Sequence, residues 1–440
     1  MKNKTKNLIS FIIQLLVYLS LRLNSPKLCA YLIKFSLSKN NNLKKKNVSK
    51  NKIVILLYRS IGIRDIEIVS KLSNRIPEIL ILQRRIVRLI LVYFLYKKNI
   101  FFTLKNPKPS DEEFFNFNKN KIKREEYEKF WTETIFYLKS FYKKKLNFVT
   151  FAYYYFIEQG LYAGCKNNKI PVKLWNKECF LSEPDIKHTI KFNKFKYAFK
   201  FFQKISTYNN SMKKMLIGMD YSNKNKISVN SCPRVFDFMS KKKEHKRVKN
   251  LLFLSFNPLQ GFPGIEEGLV PGLKKDWHNE HIIKNNWISS YNKVIKILNE
   301  LASYEDLNIT IKRKNFNTYF TDLKVDKRIK IVVGGTAEKS INEADIVIGL
   351  NSGSTIEALV NGKYIMVPFF EKDKKLRKYL YKFDKSIIYN SEKKMKKSIL
   401  KLLNKKVSFP LNKKCYNKTI KYYYGNSKNV VQKYANFLNS

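Results

Sequence analysis

One stretch of the chain gathers small polar residues where an anion could be held. Asp345 opens an apolar run, Ile346-Val-Ile-Gly-Leu350, which ends in Asn351, Ser352, Gly353, Ser354 and Thr355. The run reads as a buried strand, and the residues after it as a helix that starts at Ser354 and stops at Gly362, a good residue just past a helix end. A turn of this kind sets hydroxyls and unpaired backbone amides at a helix amino terminus, where phosphate groups bind. Gly353 lets the backbone approach a ligand closely. Glu357, read within the first helical turn, would reach a sugar hydroxyl. The bland alternative is an ordinary capped helix, because Ser and Thr cap helices in any protein.

Other candidates are weaker. Arg59 and Arg64 lie beside a loop that follows an early strand, and Arg there suits an anionic substrate; solvated charges are the competing reading. Asp65 is a candidate general base for an acceptor hydroxyl, with Glu158, Glu178 and Glu183 as rivals that spacing does not separate. His278 and His281 would share one side of a helix, but no third ligand is placed, so no metal site is expected. His188 and His245 fall in no pattern. The basic run around Lys241–Lys243, Lys246 and Arg247 lacks aromatic interleaving and any nucleic-acid-binding signature, so nucleic acid is not an expected partner. Walker A, Gly-x-Gly-x-x-Gly and nucleophile-elbow patterns are missing from the sequence, which counts against P-loop kinases, dehydrogenases and hydrolases.

These residues need elements to position them. The chain has 440 residues, a prior of two or three domains at roughly 150 residues each. With 44% apolar and 28% charged residues it can build large cores, which excludes wholesale disorder. The net charge is +53, from 87 Lys and Arg against 34 Asp and Glu; it favours anionic partners without choosing among lipid, nucleic acid and phosphorylated substrates. Five unpatterned cysteines, Cys29, Cys165, Cys179, Cys232 and Cys415, suggest a reducing compartment. The apolar run at 8–23 is too short to span a bilayer comfortably. It reads either as a helix lying in a membrane interface, drawn there by basic flanks, or as a helix packed on the first domain. A Lys/Asn linker follows at 39–52.

Continuous apolar runs at 53–58, 78–82, 250–256, 307–311, 329–333, 345–350 and 363–368 alternate with helical periodicity. That order predicts βαβ units with buried parallel strands. The expected organisation is an amino-terminal helix and basic linker over 1–50, a Rossmann-like domain over 51–184, an inter-domain segment over 185–249, and a second Rossmann-like domain with terminal helices over 250–440.

The stretch from Asp345 to Pro368 resembles the carboxyl-terminal domain of GT-B-type glycosyltransferases, where a strand ends in a Ser-x-Ser-Thr/Ala-x-x-Glu-Ala turn before a helix. In that family an earlier strand usually ends in Lys-Pro-His; here it ends Ile311-Lys312-Arg313-Lys314, so Lys312 matches while Pro and His do not. The resemblance implies that Lys312 and Lys314 hold a donor diphosphate as cations, and that Gly334-Gly335-Thr336 lies in a loop near the nucleotide base. The segment from Tyr153 to Glu183 is similar to bacterial surface- and capsule-polysaccharide biosynthesis proteins, which places Lys177 and Glu178 in the inter-domain cleft. The resemblance therefore implies an α/β chain of two Rossmann-like domains facing a cleft. It implies a nucleotide-sugar donor bound by residues 351–355, Glu357, Lys312, Lys314, Gly334 and Gly335, with Glu178 or Asp65 as base. The acceptor would be a carbohydrate, as in capsule or lipopolysaccharide, or lipid-linked. No cofactor or metal is implied; the positive charge and the apolar amino terminus fit work at the inner face of the cytoplasmic membrane, against an anionic lipid surface. A polyol-phosphate transferase or sugar-nucleotide epimerase on the same scaffold, or a non-catalytic basic protein that binds nucleic acid or membrane, are the alternatives.

Overall fold

Ile53, Val54, Ile55, Leu56 and Leu57 are all buried, as a continuous apolar run must be when both faces of its strand are covered. The computed structural model describes residues 2–39, 48–58, 60–73, 76–96, 120–151, 156–177, 183, 186–187, 190, 200–219, 224–235, 245–255, 280–313, 324–370, 377, 380–403, 405–408, 413–425 and 428–440. The chain forms two compact units, one of Met1–Glu178, Asn193–Arg234 and Ser427–Ser440, the other of Cys179–Phe192 and Val235–Asn426.

The first unit runs α1 (Lys2–Arg22), α2 (Pro26–Ser36), β1 (Ser38–Lys39), β2 (Val48–Leu57), α3 (Ser60–Leu72), β3 (Ile76–Leu82), α4 (Arg84–Tyr96), α5 (Lys121–Ser140), β4 (Lys145–Thr150), α6 (Gln159–Asn167), β5 (Val172–Asn176), β6 (Phe202–Thr207), α7 (Asn210–Gly218) and β7 (Ile227–Val229). Its sheet has the order β1-β3-β2-β4-β5-β6-β7. Every pair is parallel except β1, which lies antiparallel on the β3 edge. Helix α6 packs closely on α5: a Cβ at Gly164 would sit 2.7 Å from the Trp131 carbonyl oxygen. Helix α1 packs on α2 and α4, burying Val17, Tyr18 and Leu21. Among the described residues no helix is long and apolar enough to cross a membrane.

The second unit runs β8 (His245–Arg247), β9 (Asn250–Ser255), α8 (Glu280–Leu301), β10 (Asn308–Arg313), β11 (Lys330–Val333), α9 (Glu338–Glu343), β12 (Ile346–Gly349), α10 (Gly353–Val360), β13 (Tyr364–Pro368), β14 (Ile388–Tyr389), α11 (Glu392–Leu402), β15 (Lys406–Ser408) and α12 (Lys413–Tyr424). Its six-stranded sheet, β11-β10-β9-β12-β13-β14, is parallel throughout. Tyr291, Val294, Ile295, Leu298 and Leu301 of α8, read from sequence as one face, pack on Leu251, Phe253, Ile309, Ile311, Ile346 and Ile348. Two α/β units of Rossmann type are therefore present, as expected.

The boundaries differ from the sequence reading in two places. Residues 202–229, read as inter-domain, add β6, α7 and β7 to the first sheet. The final helix α13 (Val430–Asn439) belongs to the first unit rather than the second. Its anchor is specific. The Tyr434 ring stacks on Trp175 at 3.8 Å between centroids. Lys173, buried within β5, reaches the helix's carboxyl end, donating to the Phe437 carbonyl at 2.8 Å and to Ser440 Oγ at 3.2 Å. The last carbonyls, which lack intrahelical partners and carry the negative end of the helix dipole, offset part of the cost of burying a cation there.

Burial first, and then the charges of Lys52 and Lys204, bring the Lys173 ammonium down to about 7. Below that pH the group is charged in folded and unfolded chains alike, and the cost of burying it is fully present. Above it the folded chain gives up a proton that the unfolded chain keeps until about 10.5, so this site's contribution to stability rises with pH between those values. Lys173→Met should flatten that rise. Urea unfolding of parent and variant from about pH 6 to pH 9.5 checks it; parallel stability curves would contradict it.

Candidate functional site

Numbered by their order in the chain, the strands of the second sheet run 3-2-1-4-5-6 from β11 to β14. The connections reverse direction between β9 and β12. Loops leaving adjacent carboxyl ends diverge at such a switch point and open a crevice. The turn that sequence singled out, Asn351 to Thr355, leaves β12 at that place.

Packing and hydrogen bonds define the turn. Gly349 ends β12 so close to the helix that a Cβ there would lie 2.3 Å from Thr355 Oγ1. That hydroxyl donates to the Leu350 carbonyl at 2.9 Å. Ser352 is the N-cap of α10, in extended conformation, and its Oγ accepts the Ser354 amide at 3.1 Å. The amides of Thr355 and Ile356 both turn to the Ser352 carbonyl, at 3.1 and 3.3 Å. The cap therefore leaves the Gly353 amide, at the first helical position, as the one a ligand oxygen would meet among these groups. Asn351 works on the other side: its Oδ1 accepts the Tyr381 amide at 2.9 Å. Tyr381 in turn leans on Tyr423 of α12, whose hydroxyl accepts the Lys382 amide at 2.7 Å. Helix α10 ends as expected, with the amides of Gly362 and Lys363 returning to the carbonyls of Leu359 and Ala358 at 3.0 and 3.1 Å, the paired bonds of a Schellman motif. One placement needs correction. Glu357 is the fifth residue of α10, so it lies in the second turn rather than the first.

Two more sequence candidates share this sheet edge. Lys312, buried near the end of β10, donates through Nζ to the Gly334 carbonyl. The Gly334 amide donates back to the Arg313 carbonyl at 3.1 Å. Burial lowers the Lys312 pKa from the ordinary lysine value. Gly334 and Gly335 follow β11 with φ of 72° and 66°. A Cβ on either would meet nothing within 4 Å, so the left-handed backbone, not crowding, is what favours glycine here. Lys314 lies outside the described residues, as do Arg59, Glu178 and His278.

Among the described residues the first unit holds two buried carboxylates, Asp65 and Glu158. Asp65, on α3 after β2, is fully buried and ion-paired to Arg234 Nε at 2.8 Å, and Tyr208 donates its hydroxyl to the other carboxylate oxygen. Burial pushes the Asp65 carboxyl above the usual aspartate value against the pull of Arg234 and Tyr208. These partners give Asp65 an anchoring role rather than that of a base that meets an acceptor. Glu158, also fully buried, accepts the Thr150 hydroxyl at 2.8 Å and the Tyr162 hydroxyl, with Arg84 Nε at 3.8 Å. Sequence reasoning missed Arg234, Tyr208, Tyr162 and Arg84. Arg234 is 169 positions from Asp65, and no local spacing signals such a pair. Lys177 is half-buried just past β5, Arg64 is half-buried on α3, and Glu183 is exposed.

A cavity of about 430 Å³, lined by Asn299 and residues 324–328, lies where β10 and β11 begin. That is the edge opposite the turn, where parallel sheets do not place ligands. Among the described residues no group of three or more His, Cys, Asp or Glu could hold a metal ion.

Gly349→Val should force Thr355 and the start of α10 away from the strand end, at a cost of about 1–3 kcal/mol. Urea unfolding of the full chain measures this, and an unchanged midpoint would contradict it.

No family model and no curated protein sequence matches this chain. Solved structures similar to it include the UDP-GlcNAc 2-epimerase of Methanocaldococcus jannaschii, at 14% identity over 88% of this chain and 99% of that one, with a TM-score of 0.48. A UDP-forming α,α-trehalose-phosphate synthase from Burkholderia xenovorans is similar at 7% identity over 89% and 99%, TM-score 0.46. The wall teichoic acid polymerase is similar at 9% identity over 98% and 97%, TM-score 0.44. These neighbours are GT-B-type glycosyltransferase-like folds. The two Rossmann-like units of the present chain stand on its own strand orders.

Proposed function

We propose that the protein is a glycosyltransferase that moves a sugar from a nucleotide-activated donor to a surface-polysaccharide or lipid-linked acceptor. The observation that carries this reading is the capped turn from Asn351 to Thr355 at the switch point of a 3-2-1-4-5-6 parallel sheet, with Lys312 and the Gly334-Gly335 turn on the same edge. The donor diphosphate sits on the Gly353 amide and the start of α10, which favours an anion by roughly 0.3–1 kcal/mol at an exposed site and more when partly buried. Lys312 and Lys314 add positive charge beside it. The glycine pair borders the base, and Glu357 meets a ribose hydroxyl.

In the reaction the acceptor hydroxyl attacks the anomeric carbon and gives its proton to a carboxylate base, for which Glu178 is our candidate. The bond from that carbon to the diphosphate oxygen breaks, and the diphosphate leaves with both electrons onto the turn and the two lysines. These cations make a divalent metal unnecessary for the leaving group. The protein works in the cytoplasm, on the inner face of the membrane where capsule or lipopolysaccharide precursors are assembled.

The test is calorimetric titration with nucleoside diphosphates. Gly353→Val should weaken binding at least tenfold, with Glu357→Ala acting in the same direction more weakly and Ser36→Ala, on α2, without effect. Glu178→Gln should leave binding intact and lower sugar transfer about 10²–10⁴-fold. A folded Gly353→Val protein with the parent's affinity would make the turn a helix cap and nothing more. Interconversion of the donor sugar with no acceptor consumed would assign an epimerase instead.

A further inference from the structure

Sixteen large apolar side chains are exposed among the described residues, and ten of them fall between Leu8 and Phe35. They are not scattered. On α1 and the residue just after it, Ile12, Leu16, Leu19 and Leu23 recur at spacings of four, three and four; on α2, Leu28, Tyr31 and Phe35 recur at three and four. Each set is one face of a helix. The opposite faces are already satisfied: Val17, Tyr18 and Leu21 on α1, and Cys29, Ala30, Leu32 and Ile33 on α2, are buried. The two helices pack on each other and turn tightly at Asn24 and Ser25, where φ of Asn24 is 44° and Ser25 Oγ accepts the Leu28 amide at 3.4 Å. Each helix of the pair therefore shows solvent an apolar stripe, where a soluble monomer shows single exposed side chains.

The charge around this face has one sign. Fourteen Lys and Arg precede Asp65, the first acidic residue of the chain. Arg22, Lys27 and Lys34 are exposed on the hairpin itself. Lys34 Nζ lies 5.1 Å from the Phe141 ring centroid, just before the exposed or half-exposed Lys143, Lys144 and Lys145. An apolar strip with a cationic rim matches an anionic lipid interface, into which such helices sink by roughly 5–10 Å while their basic side chains stay at the headgroups. A second copy of the chain would bring the same positive rims together, which costs free energy.

We propose that the outward face of the α1–α2 hairpin docks the protein on an anionic membrane surface as a two-helix interfacial wedge. This deepens the membrane location proposed above, and it uses no residue of the donor turn. Both helices lie flat on the lipid, with Leu16, Leu19, Leu23 and Phe35 among the inserted side chains.

The test uses the full chain in sedimentation with vesicles of phosphatidylcholine containing about 30% phosphatidylglycerol, and with phosphatidylcholine alone. Two variants are compared: Ile12→Ser/Leu16→Ser/Leu19→Ser/Phe35→Ser, and the milder Leu23→Ser/Phe35→Ser, whose two parent side chains are each 71% exposed and whose loss spares the core. The parent should sediment with the anionic vesicles and bind at least tenfold more weakly to the neutral ones. Both variants should lose at least tenfold of the anionic binding while keeping the parent's circular dichroism and its affinity for nucleoside diphosphates. Equal vesicle binding by parent and variants, or no binding by the parent, would overturn the proposal. A dimer of the parent in analytical ultracentrifugation that both variants dissolve, without vesicle binding, would assign the face to a second copy of the chain. Vesicle binding as expected, with no nucleotide bound by any form, would leave the wedge standing and remove the donor reading alone.

Discussion

Parallel strands have a direction, and most of what this protein can do follows from it. Every connection in a parallel sheet leaves from one edge and returns to the other, so the loops free to carry polar residues gather at the carboxyl edge. In the second unit that edge collects Lys312, the Gly334-Gly335 turn and the Asn351–Thr355 turn from strands far apart in sequence. The strand order then singles out one point on the edge. Between β9 and β12 successive connections diverge, and the capped turn stands there. The sheet can hold this direction only if both faces are covered, which is why β9 and β12 are almost entirely buried side chains.

The turn's rigidity comes from residues that would never touch a ligand. Thr355 ties the helix back to Leu350, and Asn351 holds the segment at Tyr381, which α12 supports from behind. An anion site made of backbone amides needs such support, because amides act through fixed direction rather than reach. In the first unit the comparable device is the Asp65, Arg234 and Tyr208 cluster. Arg234 is the last residue before the chain leaves that unit, and its buried ion pair fixes that departure point. Removing one partner of such a pair would leave an uncompensated buried charge.

Legibility followed local signal. The strands 53–57, 250–255 and 346–349 could be read directly, because a run covered on both faces is continuously apolar. The face of α8 could be read because helical spacing marks its core side, and the end of α10 because Gly362 is the residue a Schellman motif wants. β6 and β7 escaped, since Phe-Gln-Lys-Ile-Ser-Thr has too little apolar continuity and Ile-Ser-Val is too short. The return of α13 to the first unit escaped for another reason: its anchors, Trp175 and Lys173, are over 250 positions away. The position of the capped turn was legible from small residues after a strand, but not the work of each side chain. Asn351 and Thr355 look like ligand groups in sequence and are occupied by the fold. Asp65 looked like a base because its long-range partners leave no trace in local spacing. The amphipathic hairpin was half legible: its basic flanks and apolar run were plain, while the division into a buried and an outward face needed the packing partners α4 and α5.

Hydrogen exchange by mass spectrometry, with and without a saturating nucleoside diphosphate, tests the central claim that this edge of the second sheet is the donor site. It reads the backbone amides themselves. The account predicts slowed exchange confined to peptides covering residues 350–356 and 333–336, with the α1–α2 hairpin and the cavity at residues 324–328 unchanged. Binding that slows exchange elsewhere and leaves residues 350–356 untouched would contradict it.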